Sequence, residues 1–218
     1  MRALMQSLPL YKQVYEEIKT SILRGEFKPG DKISVNKLAE EFQISRTPLR
    51  EALRQLQKEQ LLEQDQSGSK IAQISEKDFN ELCTCRLVLE KELIKDVISN
   101  IKEENITEAE KLIEMAELSL KKEDQIEFLE YNSNFHEILI DACTNERLKD
   151  LLNQVRAKLL LYRANVIQRA GEGTEILAEH HAILKAVKER HTENAVKTIE
   201  SHLTNDQIRG KKVLEDKN

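Results

Sequence analysis

Glycine, proline and cysteine are all scarce in this 218-residue chain, at six, three and three residues. With so few helix breakers and 33% charged residues, the composition suits a mostly helical protein. Cys83, Cys85 and Cys143 form an odd set without a CxxC pair, and two of them would point to different faces of one helix. This argues against a disulfide framework and for reduced thiols. No apolar run approaches about 18 residues and the N-terminus lacks a signal-peptide core, so a cytoplasmic protein with no membrane partner is expected. Glycine-rich phosphate loops, HExxH and nucleophile elbows are absent as well. A di-iron bundle would want a Glu three residues before a histidine, but Ser133, Leu177, Ala178, Lys188 and Ile199 stand there. A metal-dependent helical-bundle enzyme is therefore the weakest reading, and the chain is expected not to be an enzyme.

The net charge of −5 is unevenly spread. Residues 1–74 hold 12 Lys/Arg and 10 Asp/Glu, leaving 22 of the 34 basic and 29 of the 39 acidic residues to 75–218. Two domains with those bounds are expected. Any affinity for a polyanion must come from a focused patch on the first.

Such a patch exists between Ser45 and Lys58. Leu49, Ala52, Leu53 and Leu56 fall at i, i+3, i+4 and i+7, an apolar helical stripe. Arg46, Arg50 and Arg54 repeat every four residues and make a second, basic stripe. Arginines near a helix start can donate paired hydrogen bonds to guanine, while the helix N-terminus and Ser/Thr hydroxyls bind phosphate. By itself the pattern also fits a solvated face whose arginines balance Glu51 and Glu59. Its surroundings favour the first reading. Residues 34–42 read as a short helix with Leu38, Ala39 and Phe42 inward, and Gln43-Ile44 leaves room only for a turn, giving a helix-turn-helix. Residues 61–65 and 70–74 flank Gln66-Ser67-Gly68-Ser69 as a small hairpin, the wing. Upstream, residues 10–27 place Leu10, Val14, Ile18, Ile22 and Leu23 on one helical face, and Lys28-Pro29-Gly30-Asp31-Lys32 stops it.

From Ser75 onward helix starts recur: Ser75 and Thr107 resemble capping boxes, and Asn145 and Thr192 are candidate N-caps. Helices are predicted at 76–101, 107–121, 124–143, 146–169, 174–190 and 193–209, with Gly171-Glu172-Gly173 as the one clear break. Six helices with short connections make an antiparallel bundle. All five histidines lie here, and Asn132, His136, His180 and His202 could converge on one point inside it. Imidazole nitrogens suit zinc, with nickel, manganese and iron as other candidates. Scattered histidines are equally compatible with ordinary core and surface positions.

The first domain resembles the GntR family of bacterial transcription regulators. The carriers are Gly25-Glu26-Phe27-Lys28-Pro29-Gly30, Leu38-Ala39, Ser45-Arg46-Thr47-Pro48-Leu49-Arg50-Glu51-Ala52-Leu53, Leu56 and Gly68. The resemblance implies that Arg46 and Arg50 read bases, that Ser45 and Thr47 meet the backbone, and that Gly68 lies in the wing near the minor groove. Asn36 and Arg54 complete the expected DNA-binding set, Arg54 toward phosphate or solvent. Gln60 departs from the family, which normally ends this helix with glycine. The second domain resembles the FCD type of the FadR subfamily in its six-helix, VanR-like form. Its carriers are Arg86-Leu87-Val88-Leu89-Glu90, Asn132-Ser133-Asn134-Phe135-His136, Glu179-His180-His181 and His202. In metal-binding members the corresponding positions hold an Asp and three His, so Asn132 here replaces the acid.

An Asn brings no charge, so a bound dication would favour an anionic ligand. A small carboxylate is the expected effector, with Arg86 as a second anchor; the alternative for Arg86 is an ion pair with Glu90. The function expected is a ligand-responsive regulator, acting as a homodimer on a palindromic double-stranded operator. The competing class is an architectural DNA-binding protein whose helical domain only dimerises.

Overall fold

The computed structural model describes residues 8–24, 26–65, 68–73, 75–167 and 172–215. Gly25, Gln66, Ser67, Ile74, residues 168–170 and Gly171, to which parts of the motif, hairpin, helix and break readings refer, lie outside them. The chain divides into two compact units, 1–74 and 75–218.

In the first unit α1 (Leu10–Leu23), α2 (Val35–Glu41) and α3 (Arg46–Lys58) are joined by a three-stranded antiparallel sheet. Val14, Ile18 and Ile22 of α1 are buried, while Leu10 stays 47% exposed, so the packed face is shorter than its sequence pattern. The helix ends at Leu23 rather than running to Phe27. Gly30 then takes φ +90° in the Lys28–Asp31 turn, whose Asp31 N–H bonds the Lys28 carbonyl at 3.0 Å. A Cβ there would lie 2.4 Å from Gln73 Nε2, the movable end of a flexible side chain, so it is the backbone conformation that requires glycine.

The wing contains one strand more than the pattern indicated. β2 (Leu62–Asp65) and β3 (Gly68–Ile71) form the expected hairpin, and β1 (Lys32–Ile33) adds to the far edge of β3. Two residues are too few to show an alternating pattern; this strand exists only through its distant partner. Gly68 enters β3 at φ +119° with nothing near its missing side chain, so conformation alone selects glycine there.

Helix ends use left-handed residues without glycine. Gln43, Gln60, Glu123 and Arg190 have φ between 54° and 60°, each one residue beyond a helix cap. Each donates its N–H to the carbonyl three residues back, and the next N–H reaches five residues back, as in Leu61 N–H to Leu56 O at 2.9 Å. These are Schellman closures. At Gln60, Leu56 and Leu61 are both fully buried, which supplies the apolar contact of the motif.

The second unit holds α4 (Glu76–Asn100), α5 (Glu103–Lys121), α6 (Gln125–Asp141), α7 (Glu146–Ile167), α8 (Glu172–Lys188) and α9 (Thr192–Glu215). The six predicted helices are present, with shifted ends. Ser75 caps α4 by accepting the Asp78 N–H at 3.1 Å, and Asn145 accepts from Leu148 at 3.1 Å. Thr107, however, lies inside α5 and donates to the Glu103 carbonyl. That helix starts four residues earlier, with Glu103 and Glu104 in its first turn complementing the dipole. Thr192 is the first residue of α9, and His191 is the cap, its Nδ1 accepting the Asn194 N–H at 3.1 Å. The break expected at Gly171-Glu172-Gly173 lies at the α7–α8 boundary, but α8 already begins at Glu172, and Gly173 is buried there, where a Cβ would meet Leu120 of α5 at 2.7 Å.

The shared core runs through Val97, Ile113, Phe128, Leu152, Ile183 and Ile199, one from each helix. Arg190 donates to the Ile98 and Ile101 carbonyls at 2.8 and 2.7 Å, satisfying the open end of α4. Among the described residues no helix is long and apolar enough to cross a membrane. The left-handed cap at Gln60 yields a test: Gln60→Gly should raise stability by about 1 kcal/mol and Gln60→Val should lower it, read as shifts in thermal unfolding.

Candidate functional site

In the first unit the two stripes of α3 separate as their periods require. Leu49, Ala52, Leu53 and Leu56 are buried, while Arg46, Arg50 and Arg54 are exposed. None of the three arginines pairs with an acid among the described residues; Glu59 instead accepts from Tyr15 Oη at 2.5 Å and Gln55 Nε2 at 2.8 Å. Ser45 is the N-cap of α3 yet makes no side-chain cap bond, which leaves its exposed hydroxyl available. Thr47, Asn36 on α2 and Gly68 on β3 are exposed too. Gln57 was not singled out by its sequence, but it ties helix to wing: Nε2 lies 3.1 Å from Gln64 Oε1 and 3.4 Å from Ser69 Oγ.

In the second unit α6, α8 and α9 deliver His136, His180 and His202 to one buried point. Each is at most 2% exposed, their ring centroids are 4.9 to 5.1 Å apart, and one nitrogen from each lies within 4.8 Å of the others. Phe135 stacks on His180 at 4.4 Å and so orients that ring. Asn132, one turn before His136, is 4% exposed and its Oδ1 has no hydrogen-bond partner among the described residues. A buried amide oxygen without a donor costs on the order of 1–3 kcal/mol, which a cation would relieve. His202 Nδ1 bonds Glu179 Oε2 at 2.7 Å, an arrangement that directs the lone pair of Nε2 outward. The donor set therefore fits a divalent ion: three imidazoles and an amide oxygen, all neutral.

His181 and His191 stand apart from this point. The first pairs with Glu117 at the surface and the second caps α9.

Behind the histidines lies a buried ion network that the sequence did not announce. Arg209 grips Glu179 with both Nη atoms at 2.9 and 2.7 Å, and Nη2 also reaches Asp206 Oδ1 at 2.7 Å. Burial would raise the Glu179 carboxyl, but hydrogen bonds from His202 and Arg209 override it and hold it at about 2. Arg86 donates to Glu90 at 2.7 Å and to Asp206 at 3.0 Å, so the ion pair with Glu90 is present. Desolvation weakens the Arg86 charge, yet the facing Glu90 and Asp206 more than restore it. Arg156 on α7 differs. Desolvation dominates there and lowers its pKa, Glu137 offsetting only part.

Residues 81–205 match the FCD domain family, and residues 10–71 match the bacterial regulatory proteins of the gntR family. The chain belongs to the GntR family of transcription regulators and carries an FCD domain as its helical part. It is 35% identical over 212 residues to the uncharacterized HTH-type transcriptional regulator YdhC of Bacillus subtilis (strain 168), covering 95% of this chain and 94% of that one. Identity to the gluconate operon transcriptional repressor of Bacillus licheniformis is 28%, over 89% and 82% of the two chains. Among solved structures, E. coli McbR/YncC shares the fold with a TM-score of 0.85 at 20% identity, covering 97% and 100%. The family is one of regulators rather than enzymes.

The Glu179 contact predicts a measurable effect on metal binding. Glu179→Gln should weaken affinity for Zn2+ about 10- to 100-fold in a chelator competition, because the carboxylate orients His202 without touching the ion. Affinity equal to that of the parent would remove Glu179 from this role.

Proposed function

We propose that the protein represses transcription by binding a palindromic operator as a homodimer, under control of a small carboxylate or similar anion held at a divalent ion in the helical unit. The observation that carries the DNA half is the unpaired, exposed row of Arg46, Arg50 and Arg54 opposite a fully buried face. Arg46 and Arg50 would read bases and Arg54 a phosphate, with Ser45, Thr47, Asn36 and Gly68 contacting the backbone and wing side. A two-fold operator calls for two copies of the reading helix, hence the dimer. Relatives named as repressors support the sign of regulation.

For the helical unit the argument is one of charge. The buried guanidiniums Arg86 and Arg209 face three carboxylates, Glu90, Glu179 and Asp206, an excess of one negative charge, and the prospective ligands Asn132, His136, His180 and His202 add none. A zinc ion there, or nickel, manganese or iron, would bring charge that the ligand set does not cancel, and a carboxylate would complete it. Arg86, whose Nη2 is buried without a hydrogen-bond partner among the described residues, would back that anion. An effector favouring one arrangement of the helical unit tenfold shifts the equilibrium by about 1.4 kcal/mol, enough for graded release.

Selection of bound DNA from a random pool tests the first half, and an enriched palindrome is expected. Arg46→Ala and Arg50→Ala should each lose roughly 1–3 kcal/mol on that site and flatten its preference. Parent-like binding by both would overturn the reading face. Elemental analysis of untagged protein should find about one divalent ion per chain, lost in the His136→Ala, His180→Ala, His202→Ala triple variant. Asn132→Asp should bind the ion more tightly, since it adds a charge to the donor set.

A further inference from the structure

Asp206 is the surplus acid of the buried network. Arg86 already has Glu90 at 2.7 Å, and Arg209 holds Glu179 at 2.9 and 2.7 Å, so each guanidinium is matched by a carboxylate without it. Arg156 likewise has Glu137 at 3.0 Å. Asp206 adds a second acid to both of the first two, Oδ2 accepting from Arg86 at 3.0 Å and Oδ1 from Arg209 at 2.7 Å. Its side chain is only 19% exposed. One negative charge is thus left that these arginines do not cancel, and a cation close by would cancel it.

The same carboxylate stands beside the open nitrogen of His202. It follows that histidine by four residues, so both project from one face of α9. Oδ2 lies 3.6 Å from His202 Nε2, too far for a hydrogen bond, and Nε2 is buried without a hydrogen-bond partner among the described residues. Two donors on one ion, each at about 2.0–2.2 Å, stand about 3–3.5 Å apart, so a slight rotation of Asp206 brings the pair to ligand spacing. Asn132 and His136 repeat the pattern on α6, an oxygen donor and an imidazole four residues apart. Two ligands at that spacing on one helix can share an ion. His202 also joins two groups whose donor atoms lie within 4.8 Å of one another, one with His136 and His180 and one with Glu179 and Asp206. We propose that Asp206 is a ligand of the divalent ion and supplies the negative charge that the amide of Asn132 does not. The ion itself is taken from the function proposed above; what is added is the acid that answers its charge. Oδ2 can keep its bond from Arg86 while it ligates, because a carboxylate oxygen has two lone pairs.

The test uses the full chain, stripped of metal and reloaded with Zn2+ or Co2+ in a buffer without carboxylates. Asp206→Asn should weaken Zn2+ at least about tenfold in a chelator competition and alter the visible absorption of the Co2+ form, which reports the donors on the ion. Glu179→Gln, which only orients His202, should weaken Zn2+ yet leave the shape of that spectrum unchanged. Asn132→Asp should raise Zn2+ affinity by a larger factor in the Asp206→Asn background than in the parent, since one acid stands in for the other. Asp206→Cys gives a readout independent of affinity: a thiolate on Co2+ produces an intense near-ultraviolet band that the parent lacks, and this decides the matter if Asp206→Asn does not fold. Parent-like Zn2+ affinity in Asp206→Asn, or no such band in Co2+-loaded Asp206→Cys, overturns the assignment. Weaker Zn2+ with an unaltered Co2+ spectrum overturns it too, by making Asp206 a neighbour of the ion and not a ligand. If the parent takes up neither Zn2+ nor Co2+, the metal reading itself fails, a result distinct from these.

Discussion

Glu179 is the residue on which the helical unit's interior depends. Its carboxylate accepts from His202, from Asn205 at 2.7 Å and from both ends of the Arg209 fork, so three side chains of α9 are referred to one residue of α8. A half-buried carboxylate is stabilised when its lone pairs are filled, and here they are. The same bond sets which nitrogen of His202 carries the proton and therefore which one can offer a lone pair. Packing would bring the three rings near one another without Glu179. Which nitrogen of His202 carries the proton would then be undefined.

Local patterns carried most of the fold. Helix α3 was legible because its apolar and basic periods lie within thirteen residues, and Ser75 and Asn145 because a cap is a short-range device. Features that depend on remote partners were not. β1 has two residues and no period of its own, and Gly173, placed within the break at 171–173, is the second residue of α8, a close helix contact visible only once Leu120 is opposite it. Thr107 looked like a cap because Thr-x-x-Glu also fits a helix interior, where the hydroxyl bonds the preceding turn instead.

The site divides along the same line. His136, His180 and His202 stood out as a rare residue type, and they and Asn132 through family resemblance, and the structure brings the histidines together. The ion network behind them left little trace in one dimension. Arg209 and Glu179 are 30 residues apart, and the predicted end of the last helix at 209 left that arginine at a fraying terminus. In fact α9 continues to Glu215, so Arg209 is held in mid-helix at 2% exposure. Arg86 shows the limit from the other side: an i, i+4 acid was visible, but Asp206, which shares the guanidinium, is 120 residues away.

The amide of Gln57 has a mechanical consequence for the first unit. By bridging to Gln64 on β2 and Ser69 on β3, it couples α3 to the hairpin through side chains as well as through the short link at Glu59–Leu61. Two attachments at different points resist rotation about either one. The helix and the hairpin consequently turn together, and an angular displacement imposed on α3 is transmitted to the strands instead of being taken up at the Gln60 corner.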